Sequence, residues 1–178
     1  MSDLRLNRGL VQIYTGNGKG KTTAALGLAL RAVGFGLRVH IMQFMKGQTY
    51  SELISLRRLA PELTSEQVGR DCFLRKGAVD PVDVRMAEEA FVRARVLVAS
   101  GIYDLVILDE LNCAVDFDLI PVAAVLELIR HKAPQTELVL TGRNARPEVI
   151  EVADLVTEMR EIKHYFNAGQ PARAGIES

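Results

Sequence analysis

Apolar positions along this chain come in two alternating rhythms. Short runs that are apolar at nearly every position cover residues 9–14 (GLVQIY), 38–44 (RVHIMQF), 104–110 (DLVILDE), 137–142 (ELVLTG) and 155–161 (LVTEMRE). Such runs read as strands buried on both faces. A weaker stretch from residue 65 (SEQVGRDCFLRKGAVD) reads as a short strand followed by a loop. Between the strands lie longer segments of good helix formers: 22–34, 51–60, 81–100, 120–132 and 146–153. Punctuation supports these limits. Gly34 and Gly36 stop the first helix, Pro61 ends the second, Asp80-Pro81 starts the third as cap and first turn, and Ser100-Gly101 closes it. Strands joined by helices predict an α/β fold. Its expected form is three-layered, a mostly parallel sheet with helices on both faces and right-handed crossovers. There is no internal repeat, low-complexity tract or linker, so one domain over 1–178 is expected.

Ligands in such sheets bind at the carboxyl ends of the strands. Three candidate groups fall there: the turn after 9–14, Gln43, and Asp109-Glu110. The turn reads TGNGKGKTT, residues 15–23. A glycine, four residues and Gly-Lys-Ser/Thr make a phosphate-binding loop. Counting back from Gly20-Lys21-Thr22, that first glycine belongs at 15, where Thr15 stands; Gly16 and Gly18 lie inside, so the loop is one residue short. Its context of strand, glycine turn and helix start is nevertheless that of an anion cradle, with free backbone N–H groups and the positive helix end facing the phosphates. The candidate cradle is Gly16, Asn17, Gly18, Lys19, Gly20, Lys21, Thr22 and Thr23, with Lys21 as the cation and the Thr22 hydroxyl as a ligand for Mg²⁺. The strand 104–110 ends in Asp109 and Glu110, the acids expected to share that magnesium site. The expected fold is therefore that of the P-loop NTPases, of the RecA-like kind. Glu110 has a second reading, as the group that positions an attacking water in an ATPase.

Composition narrows the class. Lysine plus arginine equal aspartate plus glutamate at 22 each, which argues against a broad nucleic-acid face. The N-terminus has no apolar run after its charges, so it does not read as a signal peptide, and no apolar stretch is long enough to span a membrane. Cys72 and Cys113 form no CxxC, and the three histidines show no metal spacing. A reduced, cytoplasmic protein is expected, with both cysteines as packing residues.

Read together, the segments YTGNGKGKTTAALGLALRAVGFGLRV, QFMKG, YDLVILDELN, LVLTGRNARPEVIEVADLVTEM and the tail IKHYFNAGQPARAGIE resemble the P-loop ATP:corrinoid adenosyltransferases over nearly the whole chain. The short glycine loop is itself a mark of that family. The resemblance implies transfer of the 5′-deoxyadenosyl group of ATP to the cobalt of a reduced cob(I) corrinoid, with triphosphate as leaving group. Such a displacement at the ribose C5′ needs no Ser-His or Cys-His pair, and the chain offers none. Its demands are to hold the triphosphate, offset its charge and bring cobalt in line with C5′. The resemblance also implies a nucleotide lying reversed, with the loop around the terminal phosphate. It gives Gly16 to Thr23 the triphosphate, Lys21 its charge, and Thr22 and Glu110 the Mg²⁺. Arg31 and Arg143 stand at matching basic positions, touching nucleotide or corrinoid; a surface or ion-pair role is the alternative. Gln43 and Lys46 follow the second strand on the same edge. His164 reads as a packing residue. Phe73, matching the first of two aromatics in the family's loop, is expected to shield one axial face of the corrinoid, with plugging of the loop as the alternative. A flavoprotein reductant and a homodimer are implied as well.

The chain departs from the family at several points. An N-terminal helix that some members carry is not expected here. Arg75 stands where a second aromatic is common, Tyr165 follows His164 where proline is common, and Ser178 stands where an aromatic often ends the chain. Two other functions compete. A P-loop ATPase or small-molecule kinase explains the loop and the acids but not LTGRN or the tail. A nucleotide-gated module without chemistry, such as a recombinase-like nucleic-acid binder, is disfavoured by neutral charge and the lack of tryptophan.

Overall fold

A computed structural model describes residues 5–71 and 76–177. In chain order it runs β1 (Val11–Thr15), α1 (Lys21–Phe35), β2 (Val39–Phe44), α2 (Ser51–Leu56), β3 (Leu63–Val68), α3 (Pro81–Ser100), β4 (Leu105–Asp109), α4 (Leu111–Asp116), α5 (Val122–Arg130), β5 (Glu137–Thr141), α6 (Pro147–Glu151) and β6 (Leu155–Glu158). Short 3₁₀ turns follow α2 at Arg57–Leu59 and β6 at Tyr165–Ala168. The described strands form one sheet in the order β3-β2-β4-β5-β1-β6, and every pairing is parallel. The expected three-layer α/β architecture is thus the observed one.

Alternation along the strands builds the two outer layers. Val39, Ile41, Leu105, Ile107 and Val139 point to the face covered by α1, which presents Ala25, Ala29 and Ala32. Met42, Phe44, Val106, Leu108, Leu138 and Leu140 point to the other face, where α3 lays down Ala87, Ala90, Phe91, Ala94 and Val98 and α5 adds Val125 and Leu128. Small alanines at helical spacing let both helices approach the sheet closely. Truncating a fully buried strand residue such as Ile107 to alanine removes about 2–5 kcal/mol.

Several limits differ from the sequence reading, each for a local reason. Gly34 is inside α1; the stop is Gly36, left-handed at φ 97°, whose N–H donates to Val33 O. The helix expected over 120–132 spans only Val122–Arg130, starting after Pro121, because Leu119 and Ile120 are buried in the core. The last strand ends at Glu158 rather than 161, because the Met159 carbonyl accepts from Gly18 N (2.7 Å) of the glycine loop. The expected strand at 65 begins earlier, at Leu63. One element was not expected at all, the helix α4.

Candidate active site

The glycine loop joins β1 to α1 and lies against the segment that leaves β6. A side chain at Gly16 (φ 94°) would strike Met159 O at 2.4 Å, and one at Gly18 would meet Arg160 backbone at 2.8 Å. Glycine is required at both positions by close approach of backbone to backbone. This is a structural account of the altered spacing: the glycines sit where the loop is pressed on 159–160. Lys21, the first residue of α1, is buried, and its ammonium donates to Gly16 O (2.7 Å) and Gly18 O (2.8 Å). It thereby ties the loop into a ring around the helix start. Burial lowers its pKa, with Glu110 opposing and Arg143 reinforcing the shift.

Asp109 ends β4 at 1% exposure and serves as the hub of the site. Its Oδ1 accepts from Thr22 Oγ1 (2.9 Å) and Thr141 Oγ1 (2.6 Å). Its Oδ2 accepts from Lys46 Nζ (2.8 Å) and Gln43 Nε2 (3.2 Å). Four donors from α1, β5, the β2–α2 connection and β2 thus converge on one carboxylate. The parallel register makes this possible by setting Gln43 opposite Asp109. Gln43 is itself held by Gln67 Nε2 (3.1 Å) from β3. Burial pulls the Lys46 ammonium down, but Asp109 outweighs it and the pKa stands above the ordinary lysine value.

Glu110 breaks the strand. Its backbone is left-handed (φ 61°), and its N–H donates to Thr141 Oγ1 (3.0 Å). This turn carries its side chain into the cleft rather than along the sheet and starts α4. The thiol of Cys113, in the first turn of α4, stands close to the Glu110 carboxylate, and burial followed by Glu110's charge pushes its pKa up to about 12. Cys113 Sγ also accepts from Arg143 N (3.2 Å). Gly142, at φ 129°, makes this approach possible, because a side chain there would meet Cys113 N at 2.8 Å. LTGRN is thus the segment that lets β5's end touch α4.

A cleft of about 910 Å³ opens above these groups. The loop residues Asn17 to Thr23 form one side, with Glu110, Cys113, Phe117 and Arg143 on the floor. Met45, Lys46 and the start of α2 with Tyr50 and Glu52 form another side, and the tail with His164, Gly175, Ile176 and Glu177 the last. Most of the residues expected from sequence are therefore together. Arg31 is not: it is exposed on the second half of α1, ten residues past Lys21 or about 15 Å along the helix, outside the cleft lining. Cys113, expected as a packing residue, is pressed against Gly142 and also lines the cleft. His164 caps the 3₁₀ turn, accepting from Phe166 N (3.1 Å), and also lines the cleft. Phe73, Cys72, Arg75 and Ser178 lie outside the described residues. Sequence reasoning missed Thr141 and Glu177. Thr141 carried a signal, a hydroxyl at the strand end beside the acids.

Residues 7–178 match the model of the ATP:corrinoid adenosyltransferase family BtuR/CobO/CobP. The chain belongs to this family. A corrinoid adenosyltransferase of Escherichia coli (strain K12) is 37% identical over 170 residues, covering 96% of this chain and 86% of that protein. One of Pseudomonas aeruginosa is 37% identical over 177 residues, covering 99% and 87%. A Nostoc sp. protein, all2391, is 38% identical over 179 residues; the match covers 94% of this chain but only 47% of that relative. ATP is the family's co-substrate by name. Four cationic residues, Lys19, Lys21, Lys46 and Arg143, line the cleft.

The donor set also suits a magnesium ion. Thr22 and Glu110 bring a hydroxyl and a carboxylate into the cleft, with Asp109 bonded to Thr22 beneath them. Among the described residues no group of three or more His, Cys, Asp or Glu could enclose a metal. An open oxygen site of this kind fits Mg²⁺, which keeps water and takes phosphate oxygens rather than a full protein cage.

Proposed function

We propose that the chain adenosylates a corrinoid within this cleft, as a single nucleotide-binding domain over 1–178. The observation that carries the reading is the convergence of the short glycine loop, Asp109-Glu110 and the Gly142-Arg143 turn on one site. Backbone N–H groups of Gly16 to Thr23 and the start of α1 receive the triphosphate. Lys21 offsets its charge. Bound Mg²⁺ would supply further charge neutralisation, held by Thr22 and Glu110, with Asp109 orienting the Thr22 hydroxyl. The corrinoid's cob(I) attacks C5′ of the ribose; the cobalt–carbon bond forms as the C5′–oxygen bond breaks, and the electron pair leaves with triphosphate. No proton need be removed from the nucleophile, which agrees with a site whose buried acid, Asp109, is fully occupied by donors. Arg143 is placed to meet nucleotide or corrinoid. Arg31 is retained only as a surface or interface cation. A flavoprotein reductant and a cytoplasmic location complete the reading; among the described residues no helix is long and apolar enough to cross a membrane. A homodimer is supported by the edge strand β6, whose four residues are all exposed, the apolar Leu155 and Val156 among them, and by the exposed Val152 just before it.

The test mixes the protein with Mg-ATP and chemically reduced corrinoid and follows both products. Adenosylcorrinoid and inorganic triphosphate are expected in equal amounts, with hydrolysis near background when corrinoid is omitted. Rapid corrinoid-independent formation of ADP would instead establish a P-loop ATPase and give Glu110 the water-positioning role.

A further inference from the structure

The sequence GKGK places two lysines in the loop, and the structure treats them differently. Lys21 turns inward onto the loop's own carbonyls. Lys19 turns outward, and its described partners are both in the C-terminal tail: it donates to Ile176 O (3.1 Å) and stands 3.8 Å from Glu177 Oε1. The tail is otherwise exposed, yet the Glu177 side chain is only 12% accessible. Its carboxylate is the knot of the tail. It accepts from Arg173 N (2.9 Å), Nε (3.2 Å) and Nη2 (3.1 Å) and from the Tyr165 hydroxyl. Arg173 also lies over the Tyr165 ring at 5.2 Å. Hydrogen bonds from Arg173 and then Tyr165 hold this carboxyl down at about 2, so it is an anion at every working pH. Gly175, Ile176 and Glu177 face the cleft across from the loop.

We propose that Glu177 is an intramolecular anion that competes with the substrate's polyphosphate for Lys19, linking phosphate binding to release of the tail from the loop. The proposal rests on the reading that the loop holds the triphosphate. Lys19 has one ammonium to offer, and a phosphate chain wrapped by the loop needs the same cation that the tail occupies. Surrender of Lys19 leaves Glu177 still bonded to Arg173 and Tyr165, so no bare carboxylate results and the exchange has a low cost. Linkage is reciprocal: the tail's hold on Lys19 weakens polyphosphate by the factor by which polyphosphate weakens the tail. For a reaction that ends with triphosphate on the loop, such a competitor speeds product departure.

Isothermal titration with inorganic tripolyphosphate and Mg²⁺ tests this on the full chain, comparing wild type, Glu177→Gln, Lys19→Ala and the double variant. Glu177→Gln should bind about 2–5-fold more tightly at low salt, the size of an exposed ion pair. The gain should shrink as salt rises and vanish in the Lys19→Ala background. Hydrogen exchange gives a second readout that needs no substitution: peptides from 169–177 should exchange faster when tripolyphosphate saturates the wild type. Unchanged or weaker binding by Glu177→Gln, an equal gain without Lys19, or slower tail exchange overturns the proposal while leaving the triphosphate reading intact. Failure of both wild type and Glu177→Gln to bind tripolyphosphate overturns both.

Discussion

Asp109 and Glu110 are adjacent acids at one strand end, and their environments divide the work. Asp109 is enclosed by four donors, one of them the Lys46 ammonium. Asp109→Asn leaves that buried cation facing a neutral amide, so a loss of about 3–5 kcal/mol of stability is expected. Glu110 is half-buried on the cleft floor, and Glu110→Gln should stay within about 1 kcal/mol of wild type while raising the Mg²⁺ needed for half-maximal turnover. Urea unfolding and magnesium titration separate the two. Equal destabilisation would mean that the hub is not Asp109. Thr22→Ala should raise the magnesium requirement as well, and the double variant with Glu110→Gln should be clearly non-additive if one ion is shared. Lys21→Ala should fold but lose about 2–5 kcal/mol of transition-state stabilisation, tens to thousands fold in turnover. Normal turnover would remove the loop from the active site. The sequence made this acid pair legible as a strand end following a glycine loop. It could not divide their roles, because the division depends on a left-handed φ at 110 and on donors from four separate elements.

At the scale of elements, long periodic segments were legible and short ones were not. α3 announced itself through Asp80-Pro81, and in the structure Asp80 accepts from Val82 N (2.9 Å) as its cap. α4 is six residues of largely buried LNCAVD following directly on an apolar strand, and no period of 3.6 emerges from so short a run. The connection from β3 to α3 is pinned at both described ends by buried acids. Arg70 donates to Asp83 through Nε (2.8 Å) and Nη2 (2.6 Å), and Lys76 Nζ (2.7 Å) and Asn144 Nδ2 (2.9 Å) donate to Asp116. Hydrogen bonds from Arg70 hold Asp83 below its ordinary value of 3.8, and those from Lys76 and Asn144 do the same for Asp116. A depressed carboxyl contributes stability that is fully present above the unfolded value and lost as pH falls through the folded one. Asp83→Asn should therefore cost about 1–2 kcal/mol at neutral pH, discounted because Arg70 is partly exposed. The difference from wild type should close as the pH drops below 3.8. A gap that stays constant down to pH 2.5 would assign Asp83 a packing role instead of an electrostatic one.

For the whole molecule, the layered α/β sheet was readable because its strands are apolar on both faces, and the site was readable because parallel strands deliver their carboxyl ends to one edge. The tail was not readable as a wall of the cleft. HYFNAGQPARAGIE has no period, and its place is set by contacts between Lys19 and Glu177, which are 158 positions apart. The cleft is therefore assembled from nearly the full length of the chain: loop and α1, the β2–α2 connection, α4, the β5–α6 turn and the tail. A ligand that bridges these parts binds the folded chain and has no counterpart in the unfolded one. At a hundredfold excess over its dissociation constant it should add about 2.7 kcal/mol. In a chain of 178 residues that corresponds to a rise of about 5–10 °C in the melting temperature. Because Lys19, Lys21, Lys46 and Arg143 line the cleft, the rise should require the phosphates. Mg-ATP and magnesium tripolyphosphate should both produce it, whereas adenosine at the same concentration should move the transition by no more than about 1–2 °C, since a weak ligand near its dissociation constant adds only about 0.4 kcal/mol. Differential scanning calorimetry of the protein alone and with each of the three ligands decides the matter. An equal shift with adenosine would place the main binding energy at the nucleoside and argue against the glycine loop as the anchoring point.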